Sequence, residues 1–194
     1  SKTVDRSFKA NTLTENGTVV EAVVETSAEL LGYSDFSDTT NYLSRAHDAD
    51  LDFGTGNFSM TIWAKRSAAD GQQFIISNGA SSGSHWGMAL ADSNGQCRYF
   101  MVDAADAGVD TNGATNVSDN VWHHLVATWD GTTDTAELYV DGRLDGSTTA
   151  GSSTATMTNA GATLAIGSRY DGAQAADQTT LALCRISATI PTAT

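Results

Sequence analysis

Apolar and polar residues alternate along short stretches of this chain, and turn-forming pairs separate the stretches. In Phe58-Ser59-Met60-Thr61-Ile62 the three apolar side chains fall on one side and the hydroxyls on the other, and Ala136, Leu138 and Val140 likewise share a face. Period two marks a half-buried β-strand, whose successive side chains point to opposite faces of a sheet. Runs rich in β-branched and aromatic residues predict strands at 18–24, 58–65, 73–77, 86–91, 96–102, 122–129, 135–141, 163–168 and 180–187. Asn-Gly and Asp-Gly pairs punctuate them at 16–17, 70–71, 78–79, 94–95, 112–113, 130–131, 141–142, 145–146 and 171–172. Such pairs supply the positive φ angles that tight hairpins need. The stretch 146–161 reads as a loop or weak edge strand. With no long helical stripe anywhere, the pattern predicts an all-β, two-sheet antiparallel sandwich.

Length and charge narrow this picture. The 194 residues fit one domain, and 40% hydrophobic with 17% charged residues marks a folded chain. A net charge of −13 with thinly spread cations argues against nucleic acid and against an anionic membrane, both of which require clustered Lys and Arg. Asp far outnumbers Glu, which suits solvated turns and caps. No run is long enough for a membrane helix, so no membrane insertion is expected. Cys97 and Cys184 lie in apolar runs and are expected as free buried thiols, the alternative being a single bridge between strands.

The strand Trp122-His123-His124-Leu125-Val126-Ala127-Thr128-Trp129-Asp130-Gly131, followed by Glu137-Leu138-Tyr139-Val140-Asp141-Gly142, resembles the signature hairpin of laminin-G-like, concanavalin A-like domains. That family shows a W-H-H-V-A strand, an aromatic-Asp-Gly turn and an L-Y-V-D-G strand. Other positions agree in order. Asp5, Ser7, Asn11, Leu13 and Gly17 are similar to the family's opening, Asn41-Tyr42-Leu43 precedes Asp50-Leu51-Asp52-Phe53-Gly54, residues 58–65 resemble its F-T-x-x-x-W strand, and Leu164-Ala165-Ile166-Gly167 its late I-G strand. The resemblance covers nearly the whole chain. It implies a jelly-roll sandwich, laminin-G-like and concanavalin A-like, over residues 1–194 as one domain of a longer polypeptide.

More narrowly, DLDFGTGNFSM paired with LALCRISATIPTAT is similar to laminin-G-like modules in structural proteins of marine bacteriophages. This implies a non-enzymatic virion module for subunit assembly and host-surface glycan attachment, with virion subunits as partners and a homo-oligomeric state. An extracellular carbohydrate-binding lectin or adhesion domain is the first alternative, and a glycoside hydrolase of the same fold the second. In the wider family an acidic pair precedes the closing strand. Here Ala182 and Leu183 precede Cys184-Arg185-Ile186, which removes oxygen ligands that calcium would use.

Candidate chemistry is sparse. Asp48, Asp50 and Asp52 are spaced like the start of a calcium loop, but Gly does not directly follow the third acid and no bidentate Glu follows. No cofactor or metal site is therefore expected, and calcium finds no matched ligands. His123 and His124 are neighbours on a strand and should point to opposite faces. No strand bears the E-x-D-x-E acids of laminarinase-type enzymes, and Glu21 and Glu25 would stand ~13 Å apart, too far for a glycosidase pair. Trp63 alternates with polar neighbours, so it is expected either to stack on a sugar or partner side chain or to lie under a crossing loop. His85, Trp86, Tyr170, Asp171 and Asp177 fall near loop ends and form, with Trp63, the expected ligand-binding set.

Overall fold

The computed structural model describes residues 12–23, 31–34, 36, 40–68, 71–80, 83–91, 94–103, 108–150, 156–158 and 160–191. Among them run fourteen strands: β1 (Thr14–Asn16), β2 (Val20–Val23), β3 (Leu31–Ser34), β4 (Tyr42–Ala46), β5 (Phe58–Arg66), β6 (Gln73–Gly79), β7 (His85–Leu90), β8 (Gln96–Val102), β9 (Gly108–Asn116), β10 (Trp122–Asp130), β11 (Thr135–Val140), β12 (Arg143–Thr149), β13 (Thr163–Ile166) and β14 (Thr179–Ser187). They form two seven-stranded antiparallel sheets. The first has the order β1-β4-β13-β6-β7-β8-β9 and the second β12-β11-β10-β5-β14-β3-β2. Among the described residues no helix is long and apolar enough to cross a membrane.

The predicted alternation is what packs the two sheets together. Phe58, Met60 and Ile62 of β5, Leu125, Ala127 and Trp129 of β10, and Leu138 of β11 are fully buried on the inner face of the second sheet. Trp86, Met88 and Leu90 of β7 and Tyr99 and Met101 of β8 meet them from the first. Phe53 stacks on Phe58 with ring centroids 4.5 Å apart, and Trp86 tilts against both at 5.6 Å. Arg66 closes one end of this interior. Fully buried, it donates to the carbonyls of Gly71 and Ala91 and to the Ser118 hydroxyl, tying three loops to β5. The cysteines are free, Cys97 buried and Cys184 half-buried, and burial pushes both thiols up to about 12.

Several turn signals behave as expected. Asp141 and Gly142, with φ of 51° and 78°, make the tight β11–β12 hairpin, and Gly17, Gly71, Gly95 and Gly172 also take positive φ. Three others are not turns. Asn78-Gly79 lies at the end of β6, Asn112-Gly113 inside β9 and Asp145-Gly146 inside β12. These glycines answer to close approach instead. Edge strand β12 of the second sheet crosses edge strand β9 of the first, and the Asp145 carboxylate accepts from the amides of Ala114 and Thr115 at 2.9 and 3.1 Å and from the Thr115 hydroxyl at 2.5 Å. A Cβ on Gly146 would sit 2.5 Å from the Asn112 carbonyl, and one on Gly113 would strike the Asp145 carboxylate.

Two substitutions test these contacts by urea denaturation. Phe58→Ala empties the centre of the aromatic cluster and is expected to cost about 3–5 kcal/mol. Gly146→Ala forces β12 away from β9, so it should lower the midpoint even though alanine is the better strand residue.

Candidate functional site

The structure distributes the expected ligand residues over four places. Trp86 is 2% exposed within the aromatic core, which corrects its assignment to a binding rim: β7 alternates inward at Trp86, Met88 and Leu90. Trp63 stands on the opposite sheet and is 37% exposed. Asp177 is exposed just before β14, and the pairing of Thr179 with Arg66 puts it at the Arg66 end of the sandwich. Only His85, Tyr170 and Asp171 come together.

Their meeting place is the outer face of the first sheet. Because Trp86, Met88 and Leu90 point inward, His85, Gly87 and Ala89 point out, and so do Arg98 and Phe100 of β8. The segment 167–176 leaves β13 and folds back over this face. The Ser77 hydroxyl donates to the Ser168 carbonyl, Phe74 N–H to Gln174 O, and Arg169 N–H to Ala173 O. At its tip the Tyr170 ring lies 6.5 Å from the His85 ring and directly over Gly79, where a Cβ would come within 2.9 Å of Tyr170 Cδ1. Glycine leaves the ring its seat. The aromatic row continues from His85 to Phe100 at 6.0 Å and from Phe100 to Phe74 at 5.3 Å.

Charged groups border this row in pairs. Arg169 binds Asp171 with both nitrogens, at 2.8 and 2.5 Å, and its guanidinium lies 5.9 Å from the Tyr170 ring centre. Arg98 binds Asp110 in the same fork and covers Phe100. Hydrogen bonding to Arg169 holds the Asp171 carboxyl below its ordinary value, so it stays ionised near neutral pH. The sequence reading missed Arg169, Arg98 and Phe100. The Arg169-Tyr170-Asp171 triplet was a signal for the first, since an aromatic between opposite charges in a turn suits recognition. Nothing local distinguished the other two.

The signature hairpin proves to be a charge lock. His123 and His124 do face opposite ways. His123 Nδ1 meets Asp141 Oδ2 at 2.8 Å and Nε2 meets Asp119 Oδ1 at 3.1 Å, while His124 lies on the outer face against Trp63. Burial works against a charge on His123, but the two carboxylates outweigh it and raise its pKa above 6.5. Burial likewise opposes charge on Asp119 and Asp141, and backbone amides together with His123 outweigh it and lower both. The acids of the 48–52 stretch are similarly engaged: Asp48 pairs with Arg45 and caps the short 3-10 turn at Ala49–Leu51, and Asp52 holds His47 at 3.0 Å.

These shifts set a pH window. A raised His contributes stability that is complete below about 6.5 and fades as pH rises through its folded value, whereas lowered Asp groups contribute above about 3.9 and fade as pH falls through theirs. The Tm difference between wild type and His123→Gln should therefore be largest in mildly acidic buffer and shrink in both directions. A difference flat with pH would remove the charge lock.

A family model for the concanavalin A-like lectin/glucanases superfamily matches residues 37–183. No curated protein matches the chain in sequence. Among solved structures it is similar to the binding domain of Paraclostridial mosquitocidal protein 1 (TM-score 0.77, 16% identity, 97% of this chain and 47% of that one). It is also similar to botulinum neurotoxin type C, from a structure describing cell entry through two ganglioside molecules (0.70, 13%, 96% and 45%), and to mouse laminin α1 domains LG4-5 (0.60, 12%, 78% and 40%). Such identities show the fold alone, and the chain spans less than half the length of each of these chains. The family match covers most of the residues from β4 to β14, and the chain belongs to the concanavalin A-like lectin/glucanases superfamily.

Proposed function

We propose that this chain is a non-enzymatic recognition module that holds a glycan against the outer face of its first sheet, through His85, Tyr170 and Asp171. The observation that carries the reading is the Tyr170 ring seated on Gly79 beside His85 and bordered by the Arg169–Asp171 fork. A pyranose presents an apolar C–H face and a ring of hydroxyls. Tyr170 and His85 offer flat rings for the first, and the ion pair offers fixed acceptors and donors for the second. Both aromatic rings are half-buried, so little side-chain freedom is lost on binding.

Glycoside hydrolysis needs two carboxyl groups, one of them protonated as a general acid. Asp110 and Asp171 on this face are each held by an arginine, and Asp171 is kept ionised. Binding is the chemistry these groups suit. The neighbouring toxin binding domains, one of them described with gangliosides, support a recognition role.

On the resemblance of residues 50–60 and 181–194 to phage structural proteins, we propose that the module serves on a bacteriophage particle as one domain, residues 1–194, of a longer subunit, assembling with like subunits and meeting host glycans. The likeness to laminin α1 favours a second setting, an extracellular adhesion domain using the same face. Mass spectrometry of purified virions separates them by the presence or absence of this polypeptide. A glycan array probed with wild type should give saccharide-specific binding that Tyr170→Ala weakens about tenfold, the scale of one aromatic platform. Release of reducing ends from laminarin or agarose by the pure protein would establish the hydrolase instead.

A further inference from the structure

We propose a second binding site, on the outer face of the opposite sheet, in which Trp63, Lys65 and Arg185 take an acidic saccharide, a sugar bearing carboxylate or sulfate. The register places these residues together. Trp63 and Lys65 lie on the same face of β5, two residues or roughly 7 Å apart. Trp63 is paired with His124 of β10 and Ala182 of β14, while Arg185 is paired with Thr61, two residues before Trp63. The indole is therefore flanked by one cation along its own strand and by another on the diagonal.

The Trp63 ring is held ready for a ligand. His124 stacks beside it, with centroids 5.1 Å apart and planes inclined by 30°, and Thr61 Oγ1 fixes that imidazole through Nε2 at 2.9 Å. On the other flank Ala182 offers no bulk. The indole remains 37% exposed, whereas Trp86 and Trp129 are buried in the core.

Beside Trp63 the backbone is strained. The β5–β14 register shifts between Ala182 and Arg185, and Leu183 in that bulge takes φ 51° while standing 55% exposed. A bulky side chain rarely adopts this conformation. The bulge turns Cys184 toward the core and leaves Arg185 exposed, paired with Thr61. Bulges that re-aim a side chain are common at binding sites.

Charge supplies the ligand class. Acids outnumber cations 23 to 10 in this chain, and Arg45, Arg98 and Arg169 are each taken by an aspartate. Among the described residues Lys65 and Arg185 have no ion-pair partner. Of the described acids on this sheet, Asp141 accepts from His123 and the His124 amide, and Glu137 from the Tyr139 hydroxyl. Two unpaired cations beside an exposed indole match an anionic group on a ring with an apolar face. This site is independent of the His85–Tyr170 face.

Polygalacturonate, dextran sulfate and neutral dextran are the probes, followed by tryptophan fluorescence and by mobility in polymer-containing native gels. Wild type should bind at least one acidic polymer and not neutral dextran. Polygalacturonate against dextran sulfate separates carboxylate from sulfate. The Lys65→Gln/Arg185→Gln variant, which alters only surface groups, should weaken binding by about tenfold or more and flatten its salt dependence. Trp63→Ala should weaken it comparably, and Tyr170→Ala should leave it unchanged. Binding retained in the double variant, equal binding to neutral dextran, no binding to either acidic polymer, or preference for anionic lipid vesicles over both polymers would each overturn the proposal.

Discussion

Strands β5 and β10 lie side by side in the second sheet, and the alternation of their side chains sets the architecture. Every second residue, from Phe58 to Ala64 and from Leu125 to Trp129, leaves water, while Thr61, Trp63, Lys65, His124 and Val126 of the opposite set stay at least partly exposed. Shifting one strand by a single residue would exchange the two sets completely, so burial fixes the register. Once that register is fixed, Trp63 and His124 have no choice of side. They become neighbours on an outer face because Ile62 and Leu125 are neighbours on the inner one.

The two outer faces then diverge for a local reason. On the first sheet the segment 167–176 folds back over the strands and brings its own Tyr170, Arg169 and Asp171 to the surface it covers. Gly79 makes room for the Tyr170 ring, since a Cβ there would strike it, and Gly87 makes room for the Phe100 ring beside it. No described segment lies over Trp63 on the second sheet, and β14 bulges beside it. One face is assembled from a loop laid on a sheet, the other from strands alone. Both keep aromatic rings accessible on rigid elements, which favours recognition by reducing the ordering required at contact.

Acidity is distributed in an ordered way through this framework. Asp48, Asp110, Asp119, Asp141, Asp145 and Asp171 are each committed to an arginine, a histidine or backbone amides. They act as fasteners between loops, hairpins and sheet edges. The Asp145 contact is the most consequential, because it joins the edge strands of the two sheets where unpaired backbone groups would otherwise face water or another chain. The net charge of −13 therefore includes many carboxylates with structural partners, while among the described cations Lys65, Arg185 and, at the β11–β12 hairpin, Arg143 have no ion-pair partner.

Period-two patterning in residues 58–62 and 136–141, and the Asp141-Gly142 turn, were enough to establish a sandwich of antiparallel strands, because burial parity and turn stereochemistry are local properties of the chain. Strand β9 escaped that reading: its inward positions are Val109, Thr111 and Gly113, so the apolar signal is weak, and Gly113 looked like a turn until the crossing of β12 explained it. The assignment of Trp86 to a rim failed for a related reason, since one residue of strand phase separates His85 on the surface from Trp86 in the core. Pairing Arg169 with Asp171, seating Tyr170 on Gly79, and placing Arg185 across from Thr61 depend on contacts between segments far apart in sequence. Only the tertiary structure decides these, because loop path and sheet register are set by packing against distant strands.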